Sequence, residues 1–226
     1  MTDLSDRTLS RPDLTPLAGG EPVSLLSCTL DDADLRDLDL TGWRFSRCSL
    51  GRADFGGATL ELATFASCRG PSATFHSARL DDARFEGCDF NNAVFRGAVL
   101  TSVAFMDCKL TGSDFSDARP NGTVFADTLL VAAKLGGLSF RKDKLRGVDF
   151  SMADLTKCDF RDAEFERSSL REAIIDDTRF EGADLRGADL TGLSLLSGAG
   201  RFKGAVISAA QAEIILSATG LRVRGR

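Results

Sequence analysis

The chain has 226 residues, 43% apolar and 27% charged, an ordinary balance for a folded domain. Its net charge of −5 and its single His argue against a phosphate-binding footprint and against most histidine-based acid–base chemistry. No apolar run reaches the ~20 residues that a membrane-spanning helix needs.

The first residues, Met-Thr-Asp-Leu-Ser-Asp-Arg, are acidic with no apolar core behind them, unlike a secretory signal. With six cysteines, such a start is expected of a cytoplasmic protein with reduced thiols. Residues 1–22 hold three of the five prolines and keep no repeat, so they are expected to form an irregular N-terminal cap or arm.

From Leu30 to Leu195 every fifth residue is Leu, Phe or Ile, except Gly70 and Pro120. Fifteen of the 16 Phe lie at this position, here called i; the other is Phe202. Two residues earlier stands a small residue, Ala, Cys, Ser, Thr or Val, except at Leu38, Trp43, Leu138, Asp143 and Leu193. A period of five fits neither a 3.6-residue helix nor a two-residue strand alternation. It fits a short extended segment with i−2 and i pointing inward, followed by a corner rich in Gly and Asp. Cys28, Cys48, Cys68, Cys88 and Cys108 recur every 20 residues, so four segments make one square coil with like side chains stacked. Trp43 and Leu38, too large for the i−2 slot, lie in the first coil, where they can plug the end. The register never slips, so Gly70 and Pro120 are local irregularities, and Pro120 is expected to make its corner bulge because it removes a ladder donor.

Several residues invite a chemical reading and fail it. Stacked cysteines ~4.8 Å apart with parallel Cβ vectors suit neither a disulfide nor a metal site and read as buried small hydrophobes. His76 faces outward with no nucleophile beside it. Asp143 occupies a core-facing slot, so either its corner turns outward or neighbouring amides hold its carboxylate. No catalytic residue, metal site or cofactor is expected, and the chain does not read as an enzyme.

Residues 198–226 break the repeat. Ser208 and Gln211 form a capping box ahead of a helix expected over 209–219, Gly220 suits the position after its end, and a strand is expected at 221–223.

The repeat, with units such as Ala33-Asp34-Leu35-Arg36-Asp37 and Ala183-Asp184-Leu185-Arg186-Gly187, closely resembles the pentapeptide-repeat family over residues 23–197. The resemblance implies an all-β fold: a right-handed quadrilateral β-helix, 20 residues per coil, a rod on the order of 40 Å long at strand spacing. The ending, GAVISAAQAEIILSATGLRV, looks like the C-terminal module of the Qnr and MfpA type. That resemblance implies a non-enzymatic DNA mimic that binds a bacterial type II topoisomerase, DNA gyrase with topoisomerase IV as a further target. It would protect that enzyme from quinolone-type or natural-product poisons and inhibit supercoiling. It also implies a homodimer through the C-terminal module. Phe202, Val206, Ile207, Ile214, Ile215, Leu216, Leu221 and Val223 are the expected interface. The unbroken register departs from the Qnr members that carry loops.

Sorting outward residues by phase gives one acidic face, with Asp34, Asp37, Asp54, Asp114, Asp117, Asp154, Asp176 and Asp177 as the expected partner-binding residues. No direct nucleic-acid or membrane binding is expected. The alternative reading is a general interaction scaffold whose partner contacts an outward apolar patch of Val94, Val99, Met106, Val124, Leu129 and Val131.

Overall fold

The computed structural model describes residues 2–193 and 199–218, and these build a right-handed quadrilateral β-helix closed by a short helix at each end. Each position of the five-residue unit has a separate task. Residues i and i−2 fill the interior, and from Phe45 to Leu110 nearly all are inaccessible to solvent. The i+2 residue turns the corner in the left-handed backbone region in every unit from Ser27 to Gly192 except Gly187. Gly, Asn and Asp tolerate that region best, which accounts for the Gly and Asp content of the corners. An Asp at i−1 accepts the amide two residues on, as Asp54 does from Gly56 at 2.8 Å and Asp154 from Thr156 at 3.0 Å.

Coils stack as parallel strands in steps of twenty residues. The longest ladder runs β1 (Thr2–Ser5), β2 (Val23–Leu26), β3 (Arg44–Ser46), β4 (Thr64–Ala66), β5 (Arg84–Glu86), β7 (Ala104–Met106), β9 (Val124–Ala126), β10 (Lys144–Arg146) and β11 (Glu164–Glu166). Two short pairs stand elsewhere: β6 (Val99–Thr101) with β8 (Arg119–Asn121), and β12 (Ser168–Ser169) with β13 (Ala188–Asp189). We name the four faces after inward residues: the Leu50, Leu35, Leu40 and Phe45 faces. Phe45, Phe65, Phe85, Phe105 and Phe125 lie directly above one another, with Phe45 and Phe65 rings 4.6 Å apart and within 4° of parallel. Phe55 crosses both at 6.0 Å and 89°. The core therefore uses both favourable aromatic geometries, stacked along the axis and edge-on across it.

The cysteine ladder has a physical explanation at one corner. At most corners the i−2 amide of the next unit donates to the carbonyl of residue i, as Ala53 does to Leu50 at 3.1 Å. After the Phe45 face no such bond forms at the corners from Leu25 to Phe165; it returns only at the last one, where Ala188 N donates to Leu185 O at 3.0 Å. At the corners without it the carbonyl of residue i takes a ladder donor instead, the register of Ser46 on Ala66 setting Ala66 N on Phe45 O, and it also accepts a side-chain donor from the coil above. Cys68 Sγ donates to Phe45 O at 3.3 Å and Cys88 Sγ to Phe65 O at 3.2 Å. Thr128 Oγ1 donates to Phe105 O at 3.1 Å and Ser168 Oγ to Leu145 O at 2.9 Å. A thiol or hydroxyl is thus favoured at this phase because the buried i−2 amide has lost its turn acceptor and takes the side chain above: Cys68 N donates to Cys88 Sγ at 3.4 Å and Val148 N to Ser168 Oγ at 3.2 Å. All six cysteines are free and buried, and burial pushes the Cys158 thiol up to about 12.

Both ends differ from a simple repeat. Residues 2–9, expected to be irregular, form a rung of their own: Thr2 pairs with Val23 and Thr8 with Thr29, a spacing of one more than the coil. That single extra residue hides the register from a period search. Helix α1 (Arg11–Leu14) follows, with a Ser10–Asp13 capping box, and its Leu14 is fully buried in the core. At the other end Asp184 pairs with Val206, two residues beyond the period, and Phe202 stacks on Phe180 at 5.1 Å. The solenoid thus continues past residue 197 before helix α2 (Ala209–Ala218) covers it. Ser208 and Gln211 form the expected capping box, and Gln211 Nε2 also donates to the carbonyls of Leu185 and Ala188.

The two irregular core positions resolve differently. Gly70 leaves a hole that the Phe90 ring of the next coil fills; a Cβ on Gly70 would lie 2.2 Å from that ring. Pro120 does not bulge against the coil below, where it pairs in register with Leu100. The disturbance lies above it, toward residues 139–144.

Candidate functional site

The Leu35 face brings the expected acidic residues into one stripe but not into one electrostatic state. Asp34 is paired with Arg36 at 2.8 Å and with Arg11 from the N-terminal cap at 3.1 Å. Arg36 holds the Asp34 carboxyl well below the usual range and also approaches Asp54 at 3.7 Å. Asp114 lies between Arg96 at 3.2 Å and Lys134 at 3.4 Å. Burial opposes its ionisation, but hydrogen bonds from Ser116, the charge of Lys134 and a hydrogen bond from Arg96 bring its carboxyl down to about 2. Among the described residues no ion pair reaches Asp37, Asp117, Asp154, Asp176 or Asp177. Asp37, Asp117 and Asp177 stand at left-handed corners and are exposed. Carboxylates outside any ion pair on this face are thus Asp37 and Asp117 along the rod and a group of three, Asp154, Asp176 and Asp177, toward the C-terminal end.

The basic partners were legible in part. Asp34-Leu-Arg36 and Asp184-Leu-Arg186 place opposite charges at i−1 and i+1 of one strand, and such pairs close in the structure. Arg11 was not legible, because it reaches Asp34 from the cap, 23 residues away.

The C-terminal residues separate into two groups. Phe202 is drawn onto the core by Phe180, and Ile215 packs against the core from α2. Val206, Ile207, Ile214 and Leu216 remain exposed, Ile214 most of all at 56%. Leu221 and Val223 lie outside the described residues. The expected mid-rod apolar patch is dispersed: Val94 and Val99 are half-buried on the Leu35 and Leu40 faces. Met106, Val124 and Leu129 stay exposed around one corner. There Met106, Glu86, Asp107 and Asp127 border a groove of about 550 Å³ along the rod. His76 contacts the Ser77 hydroxyl on the surface, and no group of three or more His, Cys, Asp or Glu is placed to hold a metal among the described residues. No helix among the described residues is long and apolar enough to cross a membrane.

A parallel β-solenoid with a packed interior and solvent-facing charge defines a class of protein that presents surface. The sequence matches a family model described as a pentapeptide repeat region at residues 38–115 and 58–135, and one described as pentapeptide repeats in nine copies at 140–199. The chain belongs to the pentapeptide-repeat family. Comparison with curated proteins gives no match. Among solved structures it is similar to trypsin-treated QnrB1, a plasmid-mediated fluoroquinolone resistance protein, with 23% identity and a TM-score of 0.58 over 89% of this chain and 100% of that one. Full-length QnrB1 gives 18% identity and a TM-score of 0.57 over 97% and 100%. HetL, a pentapeptide-repeat protein involved in heterocyst differentiation regulation in the cyanobacterium Nostoc sp. strain PCC 7120, gives 22% and 0.54 over 90% and 84%.

Proposed function

We propose that this protein is a dimeric, non-enzymatic DNA mimic that binds a bacterial type II topoisomerase, DNA gyrase first, and protects it from quinolone-type or natural-product poisons. The observation that carries the reading is the neighbourhood of two surfaces at one end. Unpaired Asp154, Asp176 and Asp177 lie below a capping helix that exposes Ile214 and Leu216. Two copies joined through α2 bring both acidic stripes to the middle of one rod. A groove built to hold duplex DNA presents basic residues, and carboxylates entering it meet the same attraction as phosphates. The similarity to QnrB1 supports this reading. The test is a gyrase supercoiling titration with and without ciprofloxacin. Inhibition of supercoiling and rescue from drug-induced cleavage are expected. Neither effect at any concentration would remove gyrase as the partner.

A second reading, an interaction scaffold with a partner other than a topoisomerase, is supported by the comparable similarity to HetL and by the groove beside Met106. A gyrase pull-down separates the two, since only the first reading requires capture.

A further inference from the structure

We propose that the rod is two rigid segments joined by a hinge that opens on the Leu40 face between Pro120 and Phe140. The hinge does not depend on what the rod binds.

The backbone shows the break. Elsewhere on this face the ladder is regular: Arg119 N donates to Ala98 O at 2.8 Å, and Asp159 N to Leu138 O at 3.0 Å. Between these two levels the equivalent bonds are absent. Pro120 has no N–H to give. The amides of Asp117, Gly122, Ser139 and Lys144 have no backbone acceptor in the neighbouring coil, although the same amides one coil higher or lower do. The opposite face stays closed, with Leu110 N to Leu129 O at 2.8 Å and Leu129 N to Cys108 O at 2.9 Å. One face of a square stack is therefore unbonded while the face across from it is laddered, which is the geometry of a door and its hinge.

Side-chain packing breaks at the same level. Of the core positions between Val23 and Leu193, only Ala118, Pro120, Thr123 and Asp143 fail to be buried, and all four border this gap. A crevice of about 250 Å³ opens between Thr123–Phe125 and Asp143–Leu145. The aromatic columns stop here too. Those through Phe105–Phe125 and Phe95–Phe115 end below it, and the column Phe140–Phe160–Phe180 begins above it. The only aromatic contact across the gap, Phe125 with Phe140, is tilted by 51° at 6.1 Å. Each segment is thus internally columnar, and the join carries neither full ladder nor column.

Nitroxide pairs read by pulsed electron resonance test the hinge, because all native thiols are buried and introduced ones label selectively. Arg79→Cys with Arg179→Cys spans the gap on the open face; Arg69→Cys with Arg171→Cys spans it on the closed face. The open-face distance distribution should be about twofold broader than the closed-face one, as expected for motion about a hinge. Pro120→Leu with Asp143→Ala restores a core side chain, an amide donor and a small i−2 residue, and should narrow the open-face distribution to match. Pro120→Ala, which restores only the amide, serves if the double variant does not fold. Equally narrow distributions on both faces overturn the hinge. A distribution that stays broad in a folded variant overturns its assignment to Pro120 and Asp143.

Discussion

Gly70 and Cys68 occupy adjacent core slots of the same coil and show how much a single position in the unit is constrained by its neighbours. The space above Gly70 belongs to the Phe90 ring, so Gly70→Ala overpacks the core and should cost about 1–3 kcal/mol in a reversible melt. Cys68 Sγ donates to the Phe45 carbonyl, which also takes a ladder bond, at a corner without a turn bond. Cys68→Ala should therefore cost about 0.5–1.5 kcal/mol, while Cys68→Ser, which keeps a donor as Ser168 does, should lose less. Equal losses for the two variants would show that the thiol acts only by filling space. Asp143 behaves oppositely. Burial raises its carboxyl, and no charged partner offsets that, so ionisation in the folded state costs stability. The cost is absent when both folded and unfolded chains are protonated and grows as pH rises above the unfolded value of about 3.9. Asp143→Ala should accordingly raise Tm at pH 7, with the gain shrinking toward pH 4. Asp114 has the reverse sign: its stabilisation is present above pH 4 and fades as pH falls toward about 2.

At the scale of elements, the five-residue period was enough to place the inward residues, because one side chain in five must be large and one small for a square coil to close. The same period could not show the rung formed by residues 2–9, since an offset of 21 residues defeats a search for multiples of five. It could not show the break above Pro120 either. Pro120 itself was visible, but the cost falls on the coil stacked over it, twenty residues later. The acidic face was legible as a phase. Its neutralisation by Arg11 was not, because that contact depends on how the cap folds back. Helix α2 was legible from its capping box, while the division of its apolar residues between core and surface was set by the rung beneath. That division sharpens a test of the dimer. Ile214→Asp with Leu216→Asp alters exposed positions only and should yield a monomer in sedimentation with little change in Tm. Ile215→Asp should instead lower Tm, because Ile215 packs on the core. A wild type that sediments as a monomer at micromolar concentration would end the proposal of a dimer through α2.

For the whole molecule, the charge that the proposed gyrase contact would use is local rather than global, since several aspartates are neutralised by arginines. Replacing Asp154, Asp176 and Asp177 together by Asn keeps side-chain shape and corner backbone. This should weaken inhibition of supercoiling and flatten its salt dependence without changing the melt. Identical titrations at two salt concentrations would exclude these aspartates from recognition. The shifted end rungs have a consequence of a different kind. A tower of interchangeable rungs is a template on which further copies can polymerise, edge upon edge, without limit. Here the bottom rung is offset by 21 residues and the top by 22, the bottom rung is followed by α1, and the top is covered by α2. A two-fold contact through α2 closes on itself and cannot propagate. The misfit at the two ends is therefore what keeps a fibre-forming architecture finite, and a fragment trimmed to matching rungs at both ends should grow into filaments.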